Sequence, residues 1–463
     1  MSPWLVRVEA RILRSPVVTD GIALVTAAAS ERDQRRVGAA LAAQGLRRGD
    51  RVALVAEGSA AYLAVAIGAL RRGVVPVLLN VHLLPAEQDA LLADARPALV
   101  LRDDELAAFV AAGAEDAPVE LAPAPLARPM IYTSGTTGMP KGVWSGVLTD
   151  ADADALLAEE RDQWGFRADD VHLVASPLHH SAPLRFAAGT LLAGGSVVLP
   201  GHFTPASFRA AVAAHRPTSA FLVPAHLQRL FAADAPALPD LSSFRLVAHA
   251  GAPCPTHLKE HAVAAFPEGS VWEFYGSTEA QFTVCSTADW RTHPGTVGRA
   301  RAGRRLSVDD EGTIWCETPR HARFEYWGDP AKTAAAWRGD ACTVGDLGRL
   351  DDDGYLYLEG RRSDLIITGG VNVYPLEVER ALLDHPQVQE VAVFGVDDER
   401  WGQRVCAAIV GAVTEAEVHE WLADRVAPHK RPKTVLLLDA LPRNSMGKVS
   451  RARLGAALGL ERA

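Results

Sequence analysis

Cysteine is scarce, and the five present (Cys254, Cys285, Cys316, Cys342, Cys406) are scattered, with no CxxC pair and no histidines at metal spacing. That excludes a disulfide framework and a structural zinc site, and makes a reducing cytoplasm the expected compartment. Basic charge is also short: 47 Lys and Arg stand against 56 Asp and Glu, for a formal net charge of −9. Without a basic excess a chain has little with which to track a phosphate backbone, so nucleic acid is not an expected partner. Long apolar runs are missing too. The longest, at 60–70, is closed by Arg71 and Arg72, short of the about 20 residues a bilayer span requires. It reads as a buried helix. The first 17 residues carry Arg7, Glu9, Arg11 and Arg14, which interrupt the apolar core of a secretory signal. Aromatic residues make up only 6%.

What remains is the profile of a globular enzyme: 463 residues, 48% hydrophobic and 22% charged, enough for two or three domains. Helical stretches rich in Ala and Arg alternate with short β-branched runs. A helix is expected over 35–46, stopped near Gly45, and strands over 51–56, 195–199, 219–223 and 244–247. Such alternation implies parallel sheets covered by helices. The texture changes after about residue 360, where strands are expected at 365–368, 388–396 and 434–438 and helices at 375–383 and 415–425. The expected fold is therefore α/β: a large N-terminal domain of parallel-rich sheets over 1–360, then a small mobile α+β domain over 361–463. The Ala-Pro-rich piece at 115–129 reads as a surface loop.

The strongest local signal runs Tyr132, Thr133, Ser134, Gly135, Thr136, Thr137, Gly138, Met139, Pro140, Lys141, Gly142, Val143. Hydroxyl side chains, flexible glycines and one lysine within a few positions suit a loop that surrounds a polyphosphate. It is not a Walker A loop, because Gly142 rather than Ser or Thr follows Lys141. Four further segments stand in order behind it: Tyr275-Gly276-Ser277-Thr278-Glu279, Thr343-Val344-Gly345-Asp346, Gly369-Gly370-Val371-Asn372 running on to Glu379 after Gly360-Arg361, and Leu441-Pro442-Arg443-Asn444-Ser445-Met446-Gly447-Lys448. Together these resemble the adenylate-forming superfamily of acyl-CoA synthetases, peptide-synthetase adenylation domains and luciferases, and within it the acyl-CoA synthetase branch of fatty-acid or aryl-acid CoA ligases.

The resemblance implies ATP, Mg²⁺ and CoA as cofactors and a carboxylic acid as substrate. Joining a carboxylate to the α-phosphorus of ATP builds negative charge on phosphate oxygens, so catalysis is mostly positioning and neutralisation. Thr133, Ser134, Gly135, Thr136, Thr137, Gly138 and Lys141 are then expected around the β- and γ-phosphates, Thr278 at the α-phosphate, and Glu279 on the metal, since Mg²⁺ keeps waters and needs few protein oxygens. Asp346 is expected to accept both ribose hydroxyls, with Arg361 reaching the same sugar. Gly251, Ala252, Pro253, Phe274, Tyr275 and Gly276 would form the adenine slot. Lys448, on the small domain, would bridge the α-phosphate and the attacking carboxylate and leave when that domain swings. Gly369, Gly370 and Asn372 are the expected CoA contacts.

Substrate signals are thinner. Ser176-Pro177-Leu178-His179-His180 resembles the family's Pro-Leu-aromatic-His segment and puts His180 at the gate beside the carboxylate. Arg185 to Gly189 and the stretch Phe221 to His226, Val223 within it, would line the acyl pocket, with Gly189 on its floor. The chain departs from the pattern at Val344, inside an otherwise plain Thr-Gly-Asp, at Ser363 and at Trp144-Ser145-Gly146. The acceptor therefore stays open between CoA and a carrier protein, an amine or a small inorganic nucleophile, and a catalytically silent nucleotide-binding relative is the rival of a different class. The acid and the choice between monomer and homodimer are open as well.

Overall fold

The computed structural model describes residues 17–19, 21–114, 119–133, 140–232, 235–443 and 449–460. Most of the large domain is built on two sheets. The first has nine strands in the order Val17–Thr19, Ile22–Thr26, Ser196–Leu199, Val171–Val174, Ser219–Leu222, Leu246–His249, Val271–Gly276, Gln281–Ser286 and Arg299–Ala300. Its central strands are parallel and its flanks antiparallel. The second has six, ordered Glu325–Tyr326, Lys141–Trp144, Met130–Thr133, Val75–Leu79, Arg51–Val55 and Leu99–Arg102. Between them lie the helices Ala27–Ala43, Ala60–Arg71 and Ser181–Leu192, which share one apolar cluster with both sheets. Ala60–Arg71 is buried along nearly its whole length, the consequence of apolar residues on every face. Among the described residues no helix is long and apolar enough to cross a membrane.

A smaller sheet (Arg305–Val308, Ile314–Glu317, Ala341–Cys342, Trp337–Arg338) and the ribbon Asp346–Leu350 with Leu356–Arg361 follow. The small C-terminal domain then forms its own core. There Val371–Val373, Ile366–Thr368, Gly402–Gly411 and Val388–Asp398 pair in that order, Thr434–Leu437 joins Gly402–Gly411 in parallel, and the helices Pro375–Leu383, Glu415–Leu422 and Arg451–Ala457 complete the unit.

Several expectations shift in detail. The first helix starts eight residues earlier than its apolar pattern suggests, because Thr26 Oγ1 accepts from Ala29 N at 3.3 Å and caps it there. The strand expected from 244 starts at Leu246, since Phe244 sits in a turn with its ring in the core. The described part of 115–129 is not a surface loop throughout: Ala124 and Ala127 are buried, and Leu126 N donates to Leu70 O at 2.8 Å. Its small side chains serve close packing.

Candidate active site

The rim of the site is assembled where Val271–Gly276 turns into Gln281–Ser286. A β-bulge at Tyr275 and Gly276 breaks the register there and carries the chain through Ser277 and Thr278 to Glu279. Gly276 has no room for a side chain, as a Cβ would lie 2.5 Å from Ala280 O. Tyr275 is buried, and its hydroxyl donates to Asp346 Oδ2 at 2.6 Å across 71 positions of sequence. Arg361 Nε donates to Asp346 Oδ1 at 2.9 Å. Burial pushes the Asp346 carboxyl above its ordinary value while the Arg361 charge pulls it back. Tyr275 and Arg361 thus each donate to one oxygen of Asp346, and each carboxylate oxygen keeps a further lone pair for a ligand hydroxyl.

Glu279 is buried too, with Oε1 accepting from the Tyr326 hydroxyl at 3.0 Å. Among the described residues no hydrogen bond reaches its Oε2. Lys332 Nζ lies 4.0 Å from the centre of the Tyr326 ring. Burial holds that ammonium below its usual value, opposed by Glu279 and Asp329. Asp329 caps the helix Pro330–Ala335 and pairs with Lys141 Nζ at 3.4 Å. Lys141 stands opposite Thr133 in the antiparallel pair of Met130–Thr133 with Lys141–Trp144. Tyr326, Lys332 and Asp329 were not expected from the sequence; no motif marks them, because they reach the site only through the antiparallel pairing of Glu325–Tyr326 with Lys141–Trp144. Ser134, Gly135, Thr136, Thr137, Gly138 and Lys448 lie outside the described residues.

Of the expected adenine residues, Gly251, Ala252 and Pro253 form an exposed turn, and Val223 Cγ1 lies 3.6 Å from where a Gly251 Cβ would be. The Phe274 ring goes elsewhere: it packs against Trp164 and Phe221, with centroids 5.5 and 5.8 Å away. Its phenyl group belongs to the aromatic core beneath the site. His180 occupies the N-cap position of Ser181–Leu192, and its ring is 4.4 Å from that of His179. Burial lowers His179 to about 3, helped by the two histidines His180 and His82. It stays neutral at ordinary pH.

From Ser181 and Ala280, the residues after His180 and Glu279, a cavity of about 140 Å³ runs along the helix Ser181–Leu192. Gly189 borders it, but a Cβ there would point at the Phe166 ring, 2.3 Å from Cε2. The glycine is therefore required by helix packing against a buried phenyl ring, which corrects the expectation that Gly189 keeps the pocket floor open. Gly369 and Gly370 form the two-residue turn between Ile366–Thr368 and Val371–Val373, with φ of +58° and +79°. Positive φ at both positions is the type I′ geometry that favours glycine. Asn372 is exposed on the following strand.

Sequence comparison bears directly on this arrangement. The chain matches the AMP-binding enzyme family over residues 9–126 and 111–317, and the AMP-binding enzyme C-terminal domain over 377–448. It belongs to the AMP-binding enzyme family. Among its relatives in that family, a feruloyl-CoA synthase of an Amycolatopsis species is 32% identical, with 99% of each chain covered. The fatty acid–[acyl-carrier-protein] ligase ScoC of Streptomyces coeruleorubidus is 32% identical, covering 91% of this chain and 89% of the relative. The o-succinylbenzoate CoA synthetase MenE of Bacillus subtilis, solved with its acyl-adenylate intermediate OSB-AMP, superimposes with a TM-score of 0.81 at 28% identity, over 92% of each chain.

Proposed function

We propose that this member of the family is an ATP-dependent carboxylate–CoA ligase. A carboxylate oxygen attacks the α-phosphorus of ATP and pyrophosphate leaves; a thiolate sulfur then attacks the acyl carbon and AMP leaves. The observation that carries the nucleotide half is Asp346, a buried carboxylate oriented on one side by Tyr275 and on the other by Arg361. In that orientation it accepts the two ribose hydroxyls, and the turn at Gly251 to Pro253 with Gly276 borders the base.

Glu279 fits a magnesium ion, having one oxygen steadied by Tyr326 and the other left for a hard cation. When bound, that ion supplies charge neutralisation at the phosphates. Lys141, Thr133 and Thr278 add donors along the polyphosphate, with Ser134, Gly135, Thr136, Thr137 and Gly138 closing the loop between them. His180 stands at the mouth of the cavity, where it orients the attacking carboxylate, while Val223 closes the side toward Gly251. Lys448 supplies the mobile cation of the first step, on a small domain that we place from residue 361 onward. The hairpin at Gly369 and Gly370, with Asn372, guides the pantetheine arm in the second.

A carrier protein's phosphopantetheine thiol is the second reading of the acceptor, favoured by the likeness to ScoC. Pyrophosphate release over a panel of carboxylates, then AMP release with and without CoA, tests both halves. Acid-dependent pyrophosphate and CoA-dependent turnover are expected. Absence of the first with every acid would overturn the adenylation chemistry, and turnover indifferent to CoA would move the acceptor elsewhere.

A further inference from the structure

The lining of the cavity is partly apolar, with Leu156, Leu184 and Leu192, and partly cationic. Arg128, Arg185, Arg301 and Arg304 all line it. Facing them are the carboxylates of Glu159 and Glu160. Arg301 pairs with Glu159 at 3.1 Å and Glu160 at 2.9 Å, and Arg304 with Glu159 at 2.5 Å. His321 also lies on Glu159, at 2.7 Å. Arg185 Nε is left with the already shared Glu160, at 3.3 Å, and Arg128 with the Ala322 carbonyl at 3.4 Å. Four guanidiniums against two carboxylates leave two positive charges in excess.

Excess charge of this kind is expensive in a low-dielectric space unless something compensates it. Arg185 shows the strain most clearly: its Nε and Nη2 are buried with no hydrogen bond among the described residues. Burial brings it down to about 10, eased by Glu160 and aggravated by the other arginines. The Glu159, Glu160, Arg301 and Arg304 set is sufficient to tie the helix Asp150–Trp164 to the segment at 301–304. Arg128 and Arg185 add nothing to that tie.

We infer that the acid this protein activates is a dicarboxylate whose second carboxylate sits on Arg185 and Arg128. This rests on the adenylation reading, which puts the reacting carboxylate at the mouth beside Ser181. Arg185 is one helical turn further in, about 6 Å along the axis at 1.5 Å per residue. The acid accordingly has a short apolar body, lying against the leucines, between its two charged ends. A planar carboxylate matches the guanidinium fork and takes up the unused donors of Arg185.

Matched pairs test it: hexanoate against adipate, and 3-phenylpropanoate against its ring-carboxylated analogue. Pyrophosphate release should favour the diacid in kcat/KM by at least about tenfold, the lower range for one charged hydrogen bond. Arg185→Gln and Arg128→Gln should each lower the diacid-to-monoacid ratio by a similar factor. Thermal shifts provide a readout that needs no turnover, since the diacid should raise the Tm of the parent protein and not that of Arg185→Gln. If monoacids are the better substrates, or if neither variant moves the ratio, the arginines are structural and the inference falls while the ligase reading stands. If no acid releases pyrophosphate yet the diacid still raises Tm in an Arg185-dependent way, the ligase reading falls and the anion site stands. Should Arg185→Gln not fold, Arg128→Gln decides.

Discussion

Replacing Asp346 by asparagine separates recognition of the ribose from support of the fold. In the structure Oδ1 accepts from Arg361 at 2.9 Å and Oδ2 from Tyr275 at 2.6 Å. An asparagine keeps one oxygen and turns the other into an NH₂ donor. Facing that NH₂ toward Arg361 would oppose two donors, so the amide settles with its oxygen on Arg361 and its nitrogen on Tyr275, whose hydroxyl turns to accept. The fold then exchanges a charged hydrogen bond for a neutral one, a loss of about 1 kcal/mol. It also sheds the burial of an ionised carboxylate, which already pushes Asp346 upward. The two changes oppose each other, and Tm should move by less than about 4 °C. Nucleotide binding has no such offset. Two ribose hydroxyls need two acceptors, and one now meets an NH₂ group. Leaving it unsatisfied costs about 1.5–3 kcal/mol, a loss of roughly 10- to 100-fold in affinity. Titration calorimetry with ATP and with 2′,3′-dideoxy-ATP checks this: the parent protein should discriminate strongly between them and the variant weakly. An ATP Kd within threefold of the parent, or undiminished discrimination, would refute the ribose assignment.

Glu279→Gln retains an acceptor for Tyr326 but removes the charge offered to magnesium, so the KM for Mg·ATP should rise about tenfold or more with an unchanged circular dichroism spectrum; undiminished activity at limiting Mg²⁺ would count against the role. Lys448→Ala should lose adenylation by about 10²-fold yet still convert supplied acyl-AMP and CoA to thioester, whereas Gly370→Leu should release pyrophosphate and accumulate acyl-AMP. Since a side chain at Gly370 meets no neighbour but adopts a φ of +79°, Gly370→Asn, which tolerates that geometry better, controls for strain in the hairpin. Asp170 gives the pH prediction: burial pushes its carboxyl up, but hydrogen bonds from Arg245 at 2.8 Å and Thr218 at 2.7 Å outweigh that and hold it below the ordinary range. A depressed carboxyl contributes stability above its unfolded value of about 3.9 that is lost as pH falls through the folded one. Asp170→Asn should therefore cost about 3 kcal/mol at pH 7 by leaving Arg245 short of its partner, and the difference from the parent in urea denaturation should shrink below about pH 4.

The elements most legible in the sequence were those whose pattern is local. Pro375–Leu383 is bounded as its periodicity and its N-terminal proline require, and Arg51–Val55 lies between a glycine turn and a helix cap. Gly402–Gly411 was missed although it is the central strand of the small domain. Its Ala-rich middle has little β-propensity of its own, and the strand is held by pairing on both sides, a tertiary effect. The small sheet of Arg305–Val308 and its neighbours escaped for a similar reason, being assembled from runs of two to four residues.

The site divides along the same line. Tyr275, Glu279 and Asp346 stand in ordered segments that could be read one by one, yet their partnership could not, because a hydrogen bond across 71 positions leaves no trace in spacing. The arginines of the cavity are the extreme case. Arg128, Arg185 and the pair Arg301 and Arg304 come from three separate stretches of an acidic chain, each flanked by ordinary helix or loop sequence, and net charge conceals them. Only when the sheets and helices converge do their charges outnumber the carboxylates beside them. The motifs shared across the family accordingly announce the chemistry common to its members, whereas what distinguishes one acid from another resides in residues that folding alone brings together.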